Sequence, residues 1–155
     1  EDEGPMLVAT KEAVETARTE LKQLLEVDIP KTLKGINAAA AEGDLRENFE
    51  YHMLRDRQEL QSARAAKLQR ELGEVRILEP GTADTSKVNI GCVVRFEDDA
   101  VQPLTILGAW DADVENRIFA NGSGLAEALL GASAGDEVEV EGVAATISKI
   151  DAWRG

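Results

Sequence analysis

Residues 36–51 read Ile36-Asn37-Ala38-Ala39-Ala40-Ala41-Glu42-Gly43-Asp44-Leu45-Arg46-Glu47-Asn48-Phe49-Glu50-Tyr51. The alanine-rich run favours helix and Gly43 supplies a stop. A second helical stretch starts immediately after. Two long helices with almost no loop between them must fold back antiparallel. Gly43-Asp44 therefore marks the far tip of a helical hairpin.

Upstream of that tip, Val14, Ala17, Leu21 and Leu24 step by three, four and three. Leu25, Ile29, Leu33, Ile36 and Ala40 continue the series. The stripe is narrow, closer to a coiled-coil seam than to the broad face of a globular helix. Thr10 followed by Lys11-Glu12-Ala13 fits a helix start, and the helix runs to about Glu42. Pro30 is expected to kink it. Some 32 residues at ~1.5 Å each would make a rod of about 48 Å. Downstream of the tip, Met53, Leu60 and Ala63 mark one stripe and Ala65, Leu68 and Leu72 a second, so the seam drifts. Arg55, Arg57, Arg64, Lys67 and Arg70 lie between the stripes.

The text changes character near Pro80-Gly81. Short alternating runs rich in Gly, Val, Ile and Asp replace the helix formers. Strands are expected at 88–96, 104–107, 117–120, 137–140 and 144–150, with a short helix over 125–130 ended by Gly131. The fold class is α+β. Residues 1–79 form an N-terminal antiparallel helical hairpin, and residues 80–155 form a small, mostly antiparallel sheet domain with one short helix. An isolated hairpin has little core, so its base is expected to lean on the second half.

Composition removes several function classes. The chain has 155 residues, 17 basic and 30 acidic, for a formal net charge of -13. That charge opposes bulk electrostatic binding to nucleic acid. One Cys and one His exclude a disulfide framework and a Cys- or His-rich metal site. No apolar run reaches the ~18 residues of a membrane span, and residues 1–6 do not read as a signal peptide. There is no P-loop, nucleophile elbow or dinucleotide fingerprint. The expectation is a soluble cytoplasmic protein of a reducing compartment, without membrane partners.

The tip carries the chemistry. Asp44 and Glu47 have the spacing of a capping box, with Asp accepting helix-start N–H groups and Glu reaching back. The same spacing puts two carboxylates on one helix face. Mg²⁺ takes one or two protein carboxylates and leaves its other positions to water and phosphate oxygens. Two acids at the end of a long rod would complete such a shell only if another macromolecule supplied the remaining ligands. Both readings stand on the residues alone.

The run GDLRENFEY over 43–51, preceded by an Ala-rich helix and followed by His52, resembles the tip of the bacterial Gre transcript-cleavage factors, GreA and GreB. The likeness extends to Pro5-Met6, Pro30, Ile106-Leu107-Gly108 with Asp111 and Asp113, Leu129-Leu130-Gly131 and Gly135-Asp136-Glu137-Val138. The resemblance implies a coiled-coil hairpin inserted through the secondary channel of RNA polymerase, with its tip at a backtracked RNA 3′ end. It implies that Asp44 and Glu47 organise a Mg²⁺ shared with the polymerase, which then hydrolyses its own transcript. The factor is not itself an enzyme on this reading. Asn48 and Tyr51 match residues that support the tip, and Arg46 and Arg55 could touch the RNA backbone. The second half would be an FKBP-like domain docking on the channel rim through Asn121, Ser123, Gly124 and Leu125. A bacterial, cytoplasmic monomer is the implied form.

Several positions depart from the family pattern. Ser123-Gly124 stands in place of Ser-Pro, and Phe49 stands where a small residue is common. Met53-Leu54 replaces an Ala pair, and Arg57 replaces Gln. These departures fit a divergent paralogue, and they keep open a secondary-channel inhibitor that plugs the pore without promoting cleavage. A prolyl isomerase or chaperone acting through the second half is a further alternative, opposed by the 4% aromatic content. Among the remaining residues, Cys92 is expected to be a buried small hydrophobe. His52 is expected to be a partly exposed polar side chain, Trp110 and Trp153 packing or contact residues, and Asp98-Asp99 and Asp111-Asp113 solvated turns.

Overall fold

A computed structural model describes residues 6–44 and 48–155. Its packing divides the chain into two compact units, residues 15–74 and residues 75–155 joined by the segment up to Val14. The expected division at residue 79/80 differs at both ends. The physical reason is a pairing between residues distant in sequence. Strand β1 (Val8–Thr10) lies parallel to β2 (Arg76–Leu78), with Val8 opposite Arg76 and Thr10 opposite Leu78. Both strands have three residues, too short to announce themselves by alternation.

The helical unit is built from α1 (Lys11–Gln23), a π-helical turn over Leu24–Asp28, α2 (Ile29–Ala40) and α3 (Phe49–Leu72). Helix α1 starts where Thr10 and Lys11 predict, for the Thr10 hydroxyl accepts the Ala13 N–H at 3.2 Å. The kink expected at Pro30 is resolved as a π-turn. Pro30 sits in the first turn of α2 and cannot donate to a carbonyl four residues back. The Ile29 N–H reaches five residues back, to the Leu24 carbonyl. One residue is thereby inserted into the helical register, worth about 100° of rotation.

That insertion decides the seam. Leu24, Thr32, Ile36 and Ala39 are buried, whereas Leu25, Leu33 and Ala40 of the expected series are exposed. On α3 the buried residues are Leu54, Ala65 and Leu68, so the stripe of Met53, Leu60 and Ala63 faces outward. The two helices approach closely where Gly35 faces Leu54. A Cβ on Gly35 would lie 3.1 Å from Leu54 Cδ1. Ile36, Ala39 and Leu54 form a small apolar cluster with Tyr51 against it. Farther along, Arg64 donates from Nε and Nη2 to the Glu20 carboxylate at 2.7 and 2.9 Å. The contacts 39 to 51, 35 to 54 and 20 to 64 run antiparallel, as a hairpin requires.

The sheet unit holds β3 (Cys92–Phe96), β4 (Leu104–Leu107), β5 (Ile118–Ala120), the short helix α4 (Gly124–Leu129), β6 (Glu137–Val140) and β7 (Val143–Ala152). Five strands align in the order β5-β4-β3-β7-β6. All neighbours are antiparallel except β4 and β5. The expected strand over 88–96 begins only at Cys92. Val88 instead exchanges backbone hydrogen bonds with Gly131 and Ala132. The core consists of Val88, Cys92, Val94, Ile106 and Ile147, covered by Ala126 and Leu129 of α4. Burial pushes the Cys92 thiol pKa above its ordinary value, as befits a buried small hydrophobe. The sheet curls, since Arg117 beside edge strand β5 reaches Glu141, in the turn next to the opposite edge strand, at 2.7 Å. Among the described residues no helix is long and apolar enough to cross a membrane.

Two side chains and one glycine hold β1 to this sheet unit. The Thr10 N–H donates to Asp111 Oδ2 at 3.0 Å and the Thr10 hydroxyl to Oδ1 at 2.5 Å. Asp111 is therefore a structural anchor and not the solvated turn expected from sequence. Gly108 is required by close approach, because a Cβ there would fall 1.7 Å from the Val8 carbonyl oxygen. Backbone cannot yield as a flexible side-chain end can. Gly108→Ala is expected to destabilise the protein by more than about 2 kcal/mol in urea unfolding.

The Glu20–Arg64 pair gives a pH prediction. The Arg64 guanidinium holds the Glu20 carboxyl below its ordinary value. A depressed folded-state pKa adds stability above the unfolded value and loses it as pH falls through the folded one. Both side chains are largely solvent-exposed, so the pair is worth only about 0.5 kcal/mol. Glu20→Gln should lower stability at neutral pH by that order and flatten its loss between about pH 5 and 3, read by thermal melts across the range.

Candidate functional site at the hairpin turn

The connection from α2 to α3 begins with a last helical turn. The Ala41 N–H bonds to the Asn37 carbonyl at 3.2 Å and the Glu42 N–H to the Ala39 carbonyl at 3.1 Å. Gly43 follows with φ +128°, a conformation that disfavours any side chain. Asp44 is exposed. Arg46 and Glu47, two of the expected tip residues, lie outside the described residues, as does Leu45. The chain is described again from Asn48, the N-cap of α3.

Asn48 is the junction of the turn. Its backbone is extended, at φ -87° and ψ 92°. Its Oδ1 accepts the Tyr51 N–H at 3.0 Å, satisfying one of the N–H groups that a helix start leaves without a partner. Its Nδ2 donates to the Ala39 carbonyl at 2.7 Å, satisfying a C-terminal orphan of α2. One amide thus joins the end of one helix to the start of the next. The cap of α3 falls on Asn48, four residues beyond Asp44, and not on the Asp44 of the capping-box reading.

Tyr51 stands one turn inside α3. It is half-buried against the cluster of Ile36, Ala39 and Leu54. Its hydroxyl accepts from Arg55 Nη1 at 3.2 Å. The Arg55 guanidinium carbon also lies 5.9 Å from the Tyr51 ring centroid, within cation–π range. The His52 ring meets Tyr51 edge-on at 5.4 Å and 74°. Tyr51 therefore braces the turn and orients Arg55, a pairing that spacing alone did not indicate. Next to the cap, Phe49 is 78% exposed. Among the described residues no group of three or more His, Cys, Asp or Glu could hold a metal ion.

The four residues expected to dock lie in the sheet unit. Asn121 is only 6% exposed. Its Nδ2 donates to the Met6 carbonyl at 3.1 Å and its N–H to the Leu107 carbonyl at 2.8 Å. Its side chain is spent holding the N-terminal segment. Ser123 is the N-cap of α4, its Oγ accepting the Ala126 N–H at 3.1 Å. Gly124 is exposed in the first turn of α4, and a Cβ there would meet nothing within 4 Å. A Cβ is thus not excluded there by crowding. Leu125 is half-buried on the sheet core. Met6, Leu7, Ala120, Gly122 and Ser123 line a groove beside this loop.

The double role of Asn48 separates by substitution. Asn48→Ala should cost about 1–2 kcal/mol, in the range of a lost cap. Asn48→Asp keeps an acceptor for Tyr51 but sets a carboxylate oxygen against the Ala39 carbonyl, so it should recover only part of that loss. Urea unfolding followed by helical circular dichroism distinguishes the two. Full recovery by Asp would show that the Ala39 bond is dispensable.

Comparison with known proteins matches the chain in two parts. The family model for the N-terminal part of the transcription elongation factors GreA/GreB matches residues 7–77, and that for their C-terminal part matches residues 83–151. The transcription elongation factor GreA of Mycoplasma capricolum is 34% identical over 141 residues, covering 88% of this chain and 90% of the relative. GreA of Helicobacter pylori is 33% identical over 125 residues, covering 79% and 76%. Among solved structures, the GreA factor homolog 1 (Gfh1) of Thermus thermophilus aligns over 94% of this chain and 99% of its own, with 20% identity and a TM-score of 0.46.

Proposed function

Because the chain belongs to the GreA/GreB family of transcription elongation factors, we propose that it stimulates cleavage of backtracked transcripts by RNA polymerase. The hairpin enters the polymerase secondary channel, and the turn between α2 and α3 meets the extruded RNA 3′ end. The observation that carries this reading is the exposed position of Asp44, in a connection whose two ends are tied by Asn48.

The donor chemistry fits magnesium and fits it incompletely, as the reading requires. Carboxylate oxygens are hard ligands suited to Mg²⁺, which wants six oxygens in near-octahedral array. Asp44 and Glu47 would supply at most part of that shell, with polymerase and RNA phosphate oxygens supplying the rest. When bound, the ion supplies charge stabilisation and an activated water for phosphodiester hydrolysis. Asn48 keeps the connection in register, and Tyr51 braces it against α2. Arg46 and Arg55 offer cations to RNA phosphate. The reaction is the polymerase's own, and this chain is not an enzyme by itself.

The sheet unit docks on the channel rim through the loop carrying Asn121, Ser123, Gly124 and Leu125. Asn121 acts there by fixing the loop, since its side chain is buried. A net charge of -13 supports attachment through protein contacts over bulk attraction to nucleic acid. The bulk of Phe49 and Met53 at the start of α3 favours one second reading, a channel-binding inhibitor without cleavage activity.

Asp44→Ala should abolish shortening of the RNA 3′ end in backtracked complexes, yet leave affinity for polymerase within about two-fold. Equal loss of both would assign Asp44 to folding. Slowed nucleotide addition by the wild-type chain, with no shortening, would establish the inhibitor instead.

A further inference from the structure

Among the described residues two that are not glycine have positive φ, Arg117 at +59° and Glu141 at +54°. Arg117 closes the short turn over Val114–Asn116 in the left-handed region. Glu141 and Gly142, the latter at φ +85°, form the two-residue loop between β6 and β7. The backbone alone would favour Gly, Asn or Asp at both positions. Two long side chains of opposite charge stand there instead, and they meet each other at 2.7 Å.

The Arg117 side chain holds three neighbours. Nη1 donates to Glu141 Oε1, and Nη2 donates at 3.2 Å to the Gln102 carbonyl, in the connection from β3 to β4. The guanidinium carbon lies 5.5 Å from the centroid of the Phe119 ring, within cation–π range. The Glu141 side chain is 55% exposed. An ion pair open to water adds little to stability, and left-handed residues other than glycine subtract from it. Stability therefore does not account for the choice of these two residues, whereas their place in the fold does. Arg117 precedes edge strand β5 and Glu141 follows edge strand β6, so the pair spans the two edges of the curled sheet. Helix α4 packs on both of those strands. Its first two residues are Gly124 and Leu125, of the loop assigned to the channel rim.

We propose that Arg117 and Glu141 are positioning residues for docking on the polymerase. Their pair is a clasp that fixes the separation of β5 and β6. It thereby fixes the seat of α4 and of the loop that leads into it. The proposal rests on that loop docking as above, and it asks no contact with polymerase of either side chain.

The test uses the full chain and reads local order and affinity separately. Glu141→Gly suits the left-handed loop and removes the carboxylate, so the melting temperature should stay within about 4 °C of the wild type. Hydrogen exchange at the Ala126 and Glu127 amides, both bonded to Ser123, should nonetheless quicken about ten-fold. Affinity for RNA polymerase should fall about five-fold, the cost of ordering a loop that was held in advance. Arg117→Glu alone sets two carboxylates together and should show the larger losses. Arg117→Glu combined with Glu141→Arg rebuilds the pair in reverse and should recover most of both. Unchanged exchange in Glu141→Gly overturns the proposal. So does an affinity loss that persists in the reversed pair after exchange has recovered, since polymerase would then be touching these side chains directly. Faster exchange with unchanged affinity overturns the docking role. A wild-type chain with no affinity for polymerase defeats the channel reading, and exchange alone then judges the clasp.

Discussion

The side-chain amide of Asn48 is the point on which the hairpin turn depends. A helix that ends leaves carbonyls without partners, and one that begins leaves N–H groups without partners. The ends of α2 and α3 meet at this turn, so both deficits arise together. An amide is the side chain that can meet both, since it carries a donor and an acceptor on one planar group. Asn48 offers Nδ2 to Ala39 and Oδ1 to Tyr51. Aspartate would lack the donor and serine would lack the reach to bridge two chains.

The helical half was legible where local rules operate and illegible where register is set by something else. Thr10, Gly43 and the alanine run marked the helix start and the turn through their own backbone preferences. The apolar steps also indicated that two helices pair. The expected seam holds at Val14, Ala17, Leu24 and Ile36, which are buried, and fails at Leu25, Leu33 and Ala40. Pro30 removes a donor, the π-turn at Leu24–Asp28 accommodates it, and beyond it the buried face runs through Thr32, Ile36 and Ala39. A reader of sequence sees the proline but not whether the helix bends, breaks or widens. On α3 the stripe of Met53, Leu60 and Ala63 looked as apolar as that of Ala65, Leu68 and Leu72, of which Ala65 and Leu68 are buried together with Leu54. Leu54, in neither stripe, meets α2 at Gly35.

The sheet half shows the complementary limit. Short apolar runs located β4, β6 and β7 within a few residues. They could not find β1 and β2, whose pairing joins residues almost 70 positions apart. Nor could it tell that Asp111, in an acidic loop, spends both carboxylate oxygens on Thr10. Acidic loops read as solvated unless a distant donor is known to arrive. Asn121 taught the same lesson at the candidate site. Its place in the family's docking loop was visible, while its burial under Met6 was not.

Charge explains why the two kinds of contact proposed for this chain belong on different units. From residue 80 onward the chain has 5 basic and 13 acidic residues. A surface of that sign repels nucleic acid and suits cationic protein surfaces, so a rim-docking role asks nothing else of its electrostatics. Helices α2 and α3 are each slightly cationic, α2 with two Lys and no acid and α3 with five Lys or Arg against four Asp or Glu. Yet a few cations make a weak nucleic-acid site, since affinity for phosphate backbone grows with the number of charges neutralised. Weakness suits a factor that must sample polymerases without being drawn to free RNA. Local recognition at α3 then counts only after protein contacts have raised the effective concentration of the RNA end beside it.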